Sequence, residues 1–340
     1  MFMRTVLLFL GMVFGIAAQD KPALSGLDPV LLTEGREVSG DASLGLARKG
    51  YLYHFANAAT RARFEVQPER FEVQFDGACG KMGPGSGQGS PDRFAVHDGR
   101  IYIFASDSCR RTFLANPENH IERPLAPPSP KKAESARGEK MLAQALKSMG
   151  GEKRIDSIRS MMVRGSADPG KAGAKPNGVA WGFEGATLRR ETDYPGWGSA
   201  IETIEEHAGT YQSPSGTQPM TGAGRNAVRQ EILHQPLLLL RARKQPGFAA
   251  WERSGNLHIF FEAVQVEFTL KGGQIVSANY RGRGPGGPLG KVHAEYSGYR
   301  EVDGLVLPHR ITTSFNENPW PGASVTVDTI TLNQGFAKRN

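Results

Sequence analysis

The sequence predicts an α+β protein in two unequal parts, a small α+β domain followed by a curved antiparallel β half-barrel with a helical plug. Three observations predict it. The stretch from Arg123 to Lys132 places four prolines in seven positions (124–130), a composition that favours extended backbone and buries nothing. Ahead of it, a motif returns after 49 residues. Behind it, some ten alternating segments succeed one another between glycine turns.

Composition narrows the function classes before any element is placed. Of 340 residues, 42 are Gly and 22 are Pro, which calls for many turns and hence a β-rich fold. Hydrophobic residues at 39% and charged residues at 22% exclude wholesale disorder and a polytopic membrane protein. The net charge of +7 is spread along the chain, and arginines do not interleave with aromatics, so a nucleic-acid partner is not expected. Two cysteines exclude a disulfide scaffold and any four-cysteine metal site.

Residues 1–18 read as a signal peptide. Arg4 supplies the positive start, Val6 to Ala18 is rich in apolar residues, and Gly15 with Ala17 fits cleavage after Ala17, or after Ala18. The run is shorter than the ~20 residues of a spanning helix, and no later segment is long and apolar enough to cross a membrane. A periplasmic or secreted protein in an oxidising compartment is the expectation.

The first domain, 26–122, repeats itself. Gly50, Tyr53, Phe55 and Ala56 recur as Gly99, Tyr102, Phe104 and Ala105, and the same offset links Arg61 to Arg110, Phe64 to Phe113, Pro68 to Pro117 and Glu69 to Glu118. Each copy opens with strand-like alternation and continues, from Ala56 to Glu65 and from Ala105 to Ala115, as a short helix that stops before proline. Asp28-Pro-Val30 precedes the first copy, while Phe75-Asp-Gly-Ala-Cys79-Gly and Val96-His-Asp-Gly99 mark the second. In these residues the segment resembles the YHS domain, a small module of secreted bacterial proteins and heavy-metal transporters.

After the linker, 123–133, the second domain spans 134–333. Its first helix begins near Ser135, with Met141, Leu142, Ala145, Leu146 and Met149 on one face and Gly150-Gly151 at its end. Strands are expected at 160–165, 179–185, 187–193 and 200–206. Helices follow near 225–234 and, restarted by Pro236, over 237–243. Further strands are expected at 258–261, 264–270, 274–280, 292–299, 305–315 and 325–332, with hairpin turns at Lys271-Gly-Gly273 and Asp303-Gly304. The opening Leu142-Ala-Gln-Ala-Leu146…Met149-Gly-Gly151 and the ending Tyr296-Ser-Gly-Tyr299-Arg-Glu-Val-Asp-Gly304-Leu-Val-Leu-Pro308 resemble the periplasmic lipoprotein carrier family. The resemblance implies an open half-barrel with helices over a greasy cavity and transfers no catalytic residue.

The chemistry-bearing residues are few. The YHS resemblance aligns Cys79 and Cys109 with two of the family's cysteines, the middle one being replaced by Ala105; in the first copy Leu31, Ala56 and Thr60 stand there. The pair could close a disulfide, or hold zinc or copper with His97, His54 or His120 completing the shell. The five glycines of Gly80–Gly89 lack a following Gly-Lys-Ser/Thr and read as a flexible loop. Gly282-Arg-Gly-Pro-Gly-Gly287 fits G-x-G-x-x-G but runs into a strand, so no helix N-terminus awaits a phosphate. His234, His258, His293 and His309 read as packed or surface residues, and Glu202, Glu205 and Glu206 beside His207 read as a solvated strand end. No H-E-x-x-H, G-x-S-x-G or Cys-x-x-Cys occurs.

The expected function is therefore binding, with envelope metal binding or sensing at Cys79 and Cys109 as the alternative and an envelope enzyme of unknown class as a further one. A curved sheet with one apolar face must cover it, and an incomplete plug leaves room for a hydrophobic small molecule or lipid. Leu237, Leu238, Leu240, Met161, Met162 and Phe260 are the residues expected to line or plug that cavity, with no resident cofactor unless the cysteines bind metal. The sequence names no protein partner.

Overall fold

The computed structural model describes residues 22–170 and 172–336. The expected signal peptide lies outside the described residues.

Residues 22–121 fold as two copies of one unit. Each begins with a 3-10 turn, Ala23–Gly26 and Gln74–Gly77, built on three consecutive left-handed residues. Leu24, Ser25 and Gly26 take φ of 58, 55 and 79°, and Phe75, Asp76 and Gly77 take 57, 50 and 89°. In the first copy α1 (Pro29–Thr33) follows, then the hairpin of β1 (Asp41–Arg48) and β2 (Tyr51–Phe55), then α2 (Ala58–Val66) and α3 (Pro68–Phe71). The second copy contains the hairpin of β3 (Ser90–His97) and β4 (Arg100–Phe104), then α4 (Asp107–Ala115). Both hairpins close through primed turns with positive φ at each central residue, Lys49-Gly50 and Asp98-Gly99. Asn57 and Ser106 cap the two helices, accepting from the amides of Thr60 and Cys109. Phe64 and Phe113 are fully buried, each with its ring 5.0 Å from its own hairpin tyrosine, Tyr53 or Tyr102.

No helix or strand occupies residues 121–131. Then α5 (Lys132–Met149) runs to Gly150, whose φ of 125° ends it, and α6 (Glu152–Asp156) turns the chain into the sheet. The first wing is a meander of β5 (Ser160–Ala167), β6 (Asn177–Glu184), β7 (Thr187–Tyr194), β8 (Gly198–Ile204), β9 (Gly209–Ser213) and β10 (Gly216–Pro219). Next come α7 (Gly222–Leu233) and α8 (Pro236–Arg241). The second wing is β11 (Ala249–Arg253), β12 (Asn256–Phe261), β13 (Val264–Lys271), β14 (Gln274–Arg283) and β15 (Leu289–Ser297). The small hairpin β16 (Arg300–Val302) and β17 (Leu305–Leu307) precedes β18 (Arg310–Phe315), β19 (Asn318–Pro319) and β20 (Val325–Leu332). The strands form one antiparallel sheet of 14, ordered β10-β9-β8-β7-β6-β5-β20-β18-β15-β14-β13-β12-β11, with β19 on β18. The edges β10 and β11 do not pair, so the sheet stays open.

Strand alternation sorts the side chains between two faces. On β12, Leu257, Ile259 and Phe261 join the core, as do Met161 and Val163 of β5 and Phe183 of β6. On that same face α5 packs through Ala145, Leu146 and Met149, α7 through Val228, Ile232 and Leu233, and α8 through Leu237–Leu240. The helical plug is thus a set of three helices over one apolar face.

Two expectations about segments are corrected. The strand expected over 305–315 is split, because Pro308 has no amide to donate: β17 pairs with β16 and β18 with β15. The Gly80–Gly89 loop, read as flexible, is a docking element. The Lys81 ammonium donates to the Gly286 carbonyl at 2.5 Å, and a Cβ on Gly287 would lie 2.8 Å from the Met82 Cα. A Cβ on Gly83 would stand 2.2 Å from the Arg283 guanidinium carbon. The second glycine-rich stretch, 282–287, is the β14–β15 turn, and the two stretches seat against each other. Glycine at 287 serves close approach of two backbones here.

Candidate functional site

A cavity of about 810 Å³ opens where the two wings of the sheet meet α7 and α8. Its apolar wall comes from Phe183 of β6, Leu188 of β7, Leu233 of α7, Leu238 of α8 and Phe261 of β12. Its polar wall is one side of α7, with Arg225, Asn226, Arg229 and Gln230, together with Arg241, Gln245, Glu262 and the exposed Glu205 and Glu206. The wall is amphipathic because α7 buries Val228, Ile232 and Leu233 and turns its next positions to the opening.

Ion pairs hold α7 in place. The Arg229 guanidinium donates to both Glu262 oxygens, at 2.5 and 2.8 Å, tying the helix to the β12–β13 turn. Arg190 on β7 bridges Glu231 on the helix and Glu202 on β8, reaching Glu202 Oε1 at 2.9 Å. Glu202 is therefore occupied, and Glu206 lies 3.7 Å from an equally exposed His207. The N-terminus of α7 is held from the other half of the chain, since the Ala223 amide donates to Asp76 Oδ2 at 2.8 Å. Burial opposes ionisation of Asp76, but the Lys49 ammonium at 2.7 Å and the Ala223 amide outweigh it and keep the carboxyl below its ordinary pKa.

The structure separates the six residues expected at a cavity. Leu238 lines it. Leu237 and Leu240 are buried in solid core, as is Met161. Met162 and Phe260 are also buried but face the other side of the sheet, since each neighbours an inward residue (Met161, Phe261) at a period of two. Sequence reasoning missed Phe183, Arg225, Arg229 and Arg241. The one available signal was Arg241 itself, a cation closing the all-apolar run Leu237–Leu240.

A second cleft of about 610 Å³ lies where residues 119–125 meet β12–β15. His234 stacks on Tyr280 there at 3.9 Å between ring centroids, and burial pulls its pKa down to about 4. Burial also raises the pKa of Glu122. The remaining strand histidines are packed: His258 stacks on Trp251 at 5.2 Å, His293 Nδ1 meets Asn279 Oδ1 at 2.8 Å, and His309 Nδ1 meets the Leu307 carbonyl at 3.1 Å.

The cysteines take a place that sequence alignment alone misassigned. Left-handed turn matches left-handed turn at an offset of 51, so the counterpart of Cys79 is Asp28 and not Leu31. The Asp28 amide donates to Val38 O at 2.8 Å and the Cys79 amide to Gly87 O at 3.0 Å; Gly40 N to Gly26 O and Gly89 N to Gly77 O are both 2.8 Å. Asp28 Oδ2 accepts from the Ala56 amide at 2.7 Å, and Cys79 Sγ accepts from the Ala105 amide at 3.4 Å. Both thiols are free in the structure, Cys79 buried and Cys109 half-buried, in one cluster with Tyr102, Phe104 and Phe113.

The expected metal shell is not assembled. His54 stands on β2 of the other copy. His97 Nε2 faces Glu118 Oε1 at 3.3 Å, and the buried His120 ring lies 5.9 Å from that of Phe113. Among the described residues no group of three or more His, Cys, Asp or Glu side chains is placed to hold a metal ion.

No family model matches the chain, that of the YHS domain included. No curated protein matches it. Among solved structures, a LolA superfamily protein from Nitrosomonas europaea is similar at 14% identity, over 57% of this chain and 93% of that one, with a TM-score of 0.35. A DUF1329 family protein from Desulfovibrio piger is similar at 11% identity, over 59% and 95% of the two chains, again with a TM-score of 0.35. No helix among the described residues is long and apolar enough to cross a membrane.

Proposed function

We propose that this chain is an exported, non-catalytic binding protein whose half-barrel holds the apolar part of a lipid or similar hydrophobic small molecule. One observation carries the reading: the cavity of about 810 Å³ beside α7 and α8, with an apolar wall of Phe183, Leu188, Leu233, Leu238 and Phe261. Ligand sites commonly enclose roughly 300–1,000 Å³, and here the apolar wall faces a polar one of similar extent. The amino-terminal domain is an accessory that braces the cavity, because its Asp76 caps the helix forming the polar wall. Burying an acyl chain there removes roughly 0.8 kcal/mol of unfavourable hydration per methylene, enough for micromolar retention of a medium chain.

Displacement of a fluorescent fatty acid from the full-length protein tests the reading. Saturable binding at one site per chain is expected, and Leu238→Trp should abolish it while leaving the protein folded by circular dichroism. Absence of saturable binding in the parent protein would remove the carrier function and leave a structural scaffold.

A further inference from the structure

We propose that the occupant of this cavity is an amphiphile with an anionic head, carboxylate or phosphate, and that Arg241 is the residue that selects the head. The inference rests on the carrier reading above. Arg241 is the last residue of α8, and the four leucines before it are buried. Its guanidinium lies over the Phe183 ring, 3.9 Å from the centroid, so the cation is held at the junction of the apolar and polar walls.

Four neighbouring cations each have a carboxylate partner. Arg243 and Lys244 both reach Asp156 at 2.7 Å, Arg229 is forked onto Glu262, and Arg190 is shared by Glu202 and Glu231. Arg241 has no carboxylate at ion-pairing distance among the described residues, and neither has Arg225 across the cavity. Burial works against the charge of Arg241, offset in part by the field of Asp156. A half-buried guanidinium with its fork unengaged is matched by the planar, bidentate geometry of a carboxylate or a phosphate, and the attraction is stronger there than in open water. Arg241 stands where the apolar wall meets the polar one, so a single molecule carrying an apolar chain and an anionic head fits both.

Calorimetric titration of the full-length protein with dodecanoate, dodecyl phosphate and dodecanol, three probes with one chain length, tests this. The anionic probes should bind at least about tenfold more tightly than the alcohol, the worth of one charge-assisted hydrogen bond. Arg241→Met should remove that gap between the anionic probes and the alcohol, and Arg241→Lys should restore part of it. Whichever anion binds more tightly assigns the head to a free fatty acid or to a phosphorylated lipid. Equal binding of dodecanol and dodecanoate by the parent protein would overturn the role of Arg241 and leave the carrier reading standing. Failure of all three to bind would overturn the carrier reading itself. The parent comparison decides even if a variant fails to fold.

Discussion

The Thr60 hydroxyl donates to Asp28 Oδ2 at 2.6 Å in the buried centre of the first repeat, and the same two places in the second repeat are taken by Cys109 and Cys79. The lock joins the second residue after the left-handed turn to the first turn of the helix that follows the hairpin. One copy makes it with a carboxylate and a hydroxyl; the other has two thiols.

The second copy should close its lock covalently. Thiol titration of the denatured, unreduced protein is expected to find almost no free thiol, and reduction should cost about 3–4 kcal/mol, the chain-entropy value for a loop of about thirty residues. Two free thiols in protein purified without reductant would refute the bridge.

Asp28 is fully buried and accepts four hydrogen bonds, from the Val30, Leu31 and Ala56 amides and the Thr60 hydroxyl. Asp28→Ala strands three amides, leaves the Thr60 hydroxyl only the Asn57 carbonyl, and should destabilise the protein by about 3–5 kcal/mol in urea unfolding. A loss below about 1 kcal/mol would mean that water replaces the carboxylate.

Leu239 is completely buried beside the cavity-lining Leu238. Leu239→Ala should cost about 2–5 kcal/mol of stability and leave ligand affinity nearly unchanged. A large affinity loss at unchanged stability would place the cavity elsewhere on α8.

Trypsin should cut the exposed stretch 121–131, yet the two fragments should elute together, because the Gly80–Gly89 loop and the β14–β15 turn interlock. Gly287→Ala, with φ of 96° and Met82 backbone in the way, should release them. Separation of the parent fragments on a sizing column would contradict the docking.

His234 is held neutral, with a folded pKa of about 4 against about 6.5 when unfolded. Below pH 6.5 the unfolded chain takes up this proton and the folded chain does not. Stability should therefore fall as pH drops from about 6.5 to 4, by at most about 3 kcal/mol. His234→Phe keeps a ring against Tyr280 and should flatten that part of the pH profile; an unchanged slope would assign it to other groups.

The sequence by itself determined the repeat and the succession of strands, since each is written in short-range pattern. Tyr53 and Tyr102, Phe64 and Phe113 recur at one offset, and Lys271-Gly-Gly273 closes β13 on β14 as expected. Strands whose side chains are mostly polar and exposed, such as β9 and β10, left no such pattern.

Only the tertiary structure decided the site. Leu237 to Leu240 are alike in sequence, and which of them meets open space depends on how α8 rolls against strands from both wings of the sheet. Arg241 became legible only when its neighbours' partners were known, because an unneutralised cation is defined by what surrounds it and not by its place in the chain. The match of Cys79 to Asp28 was hidden for a similar reason. The second copy is two residues shorter between turn and hairpin, so the offset changes from 51 to 49, and backbone conformation, not residue identity, preserves the correspondence.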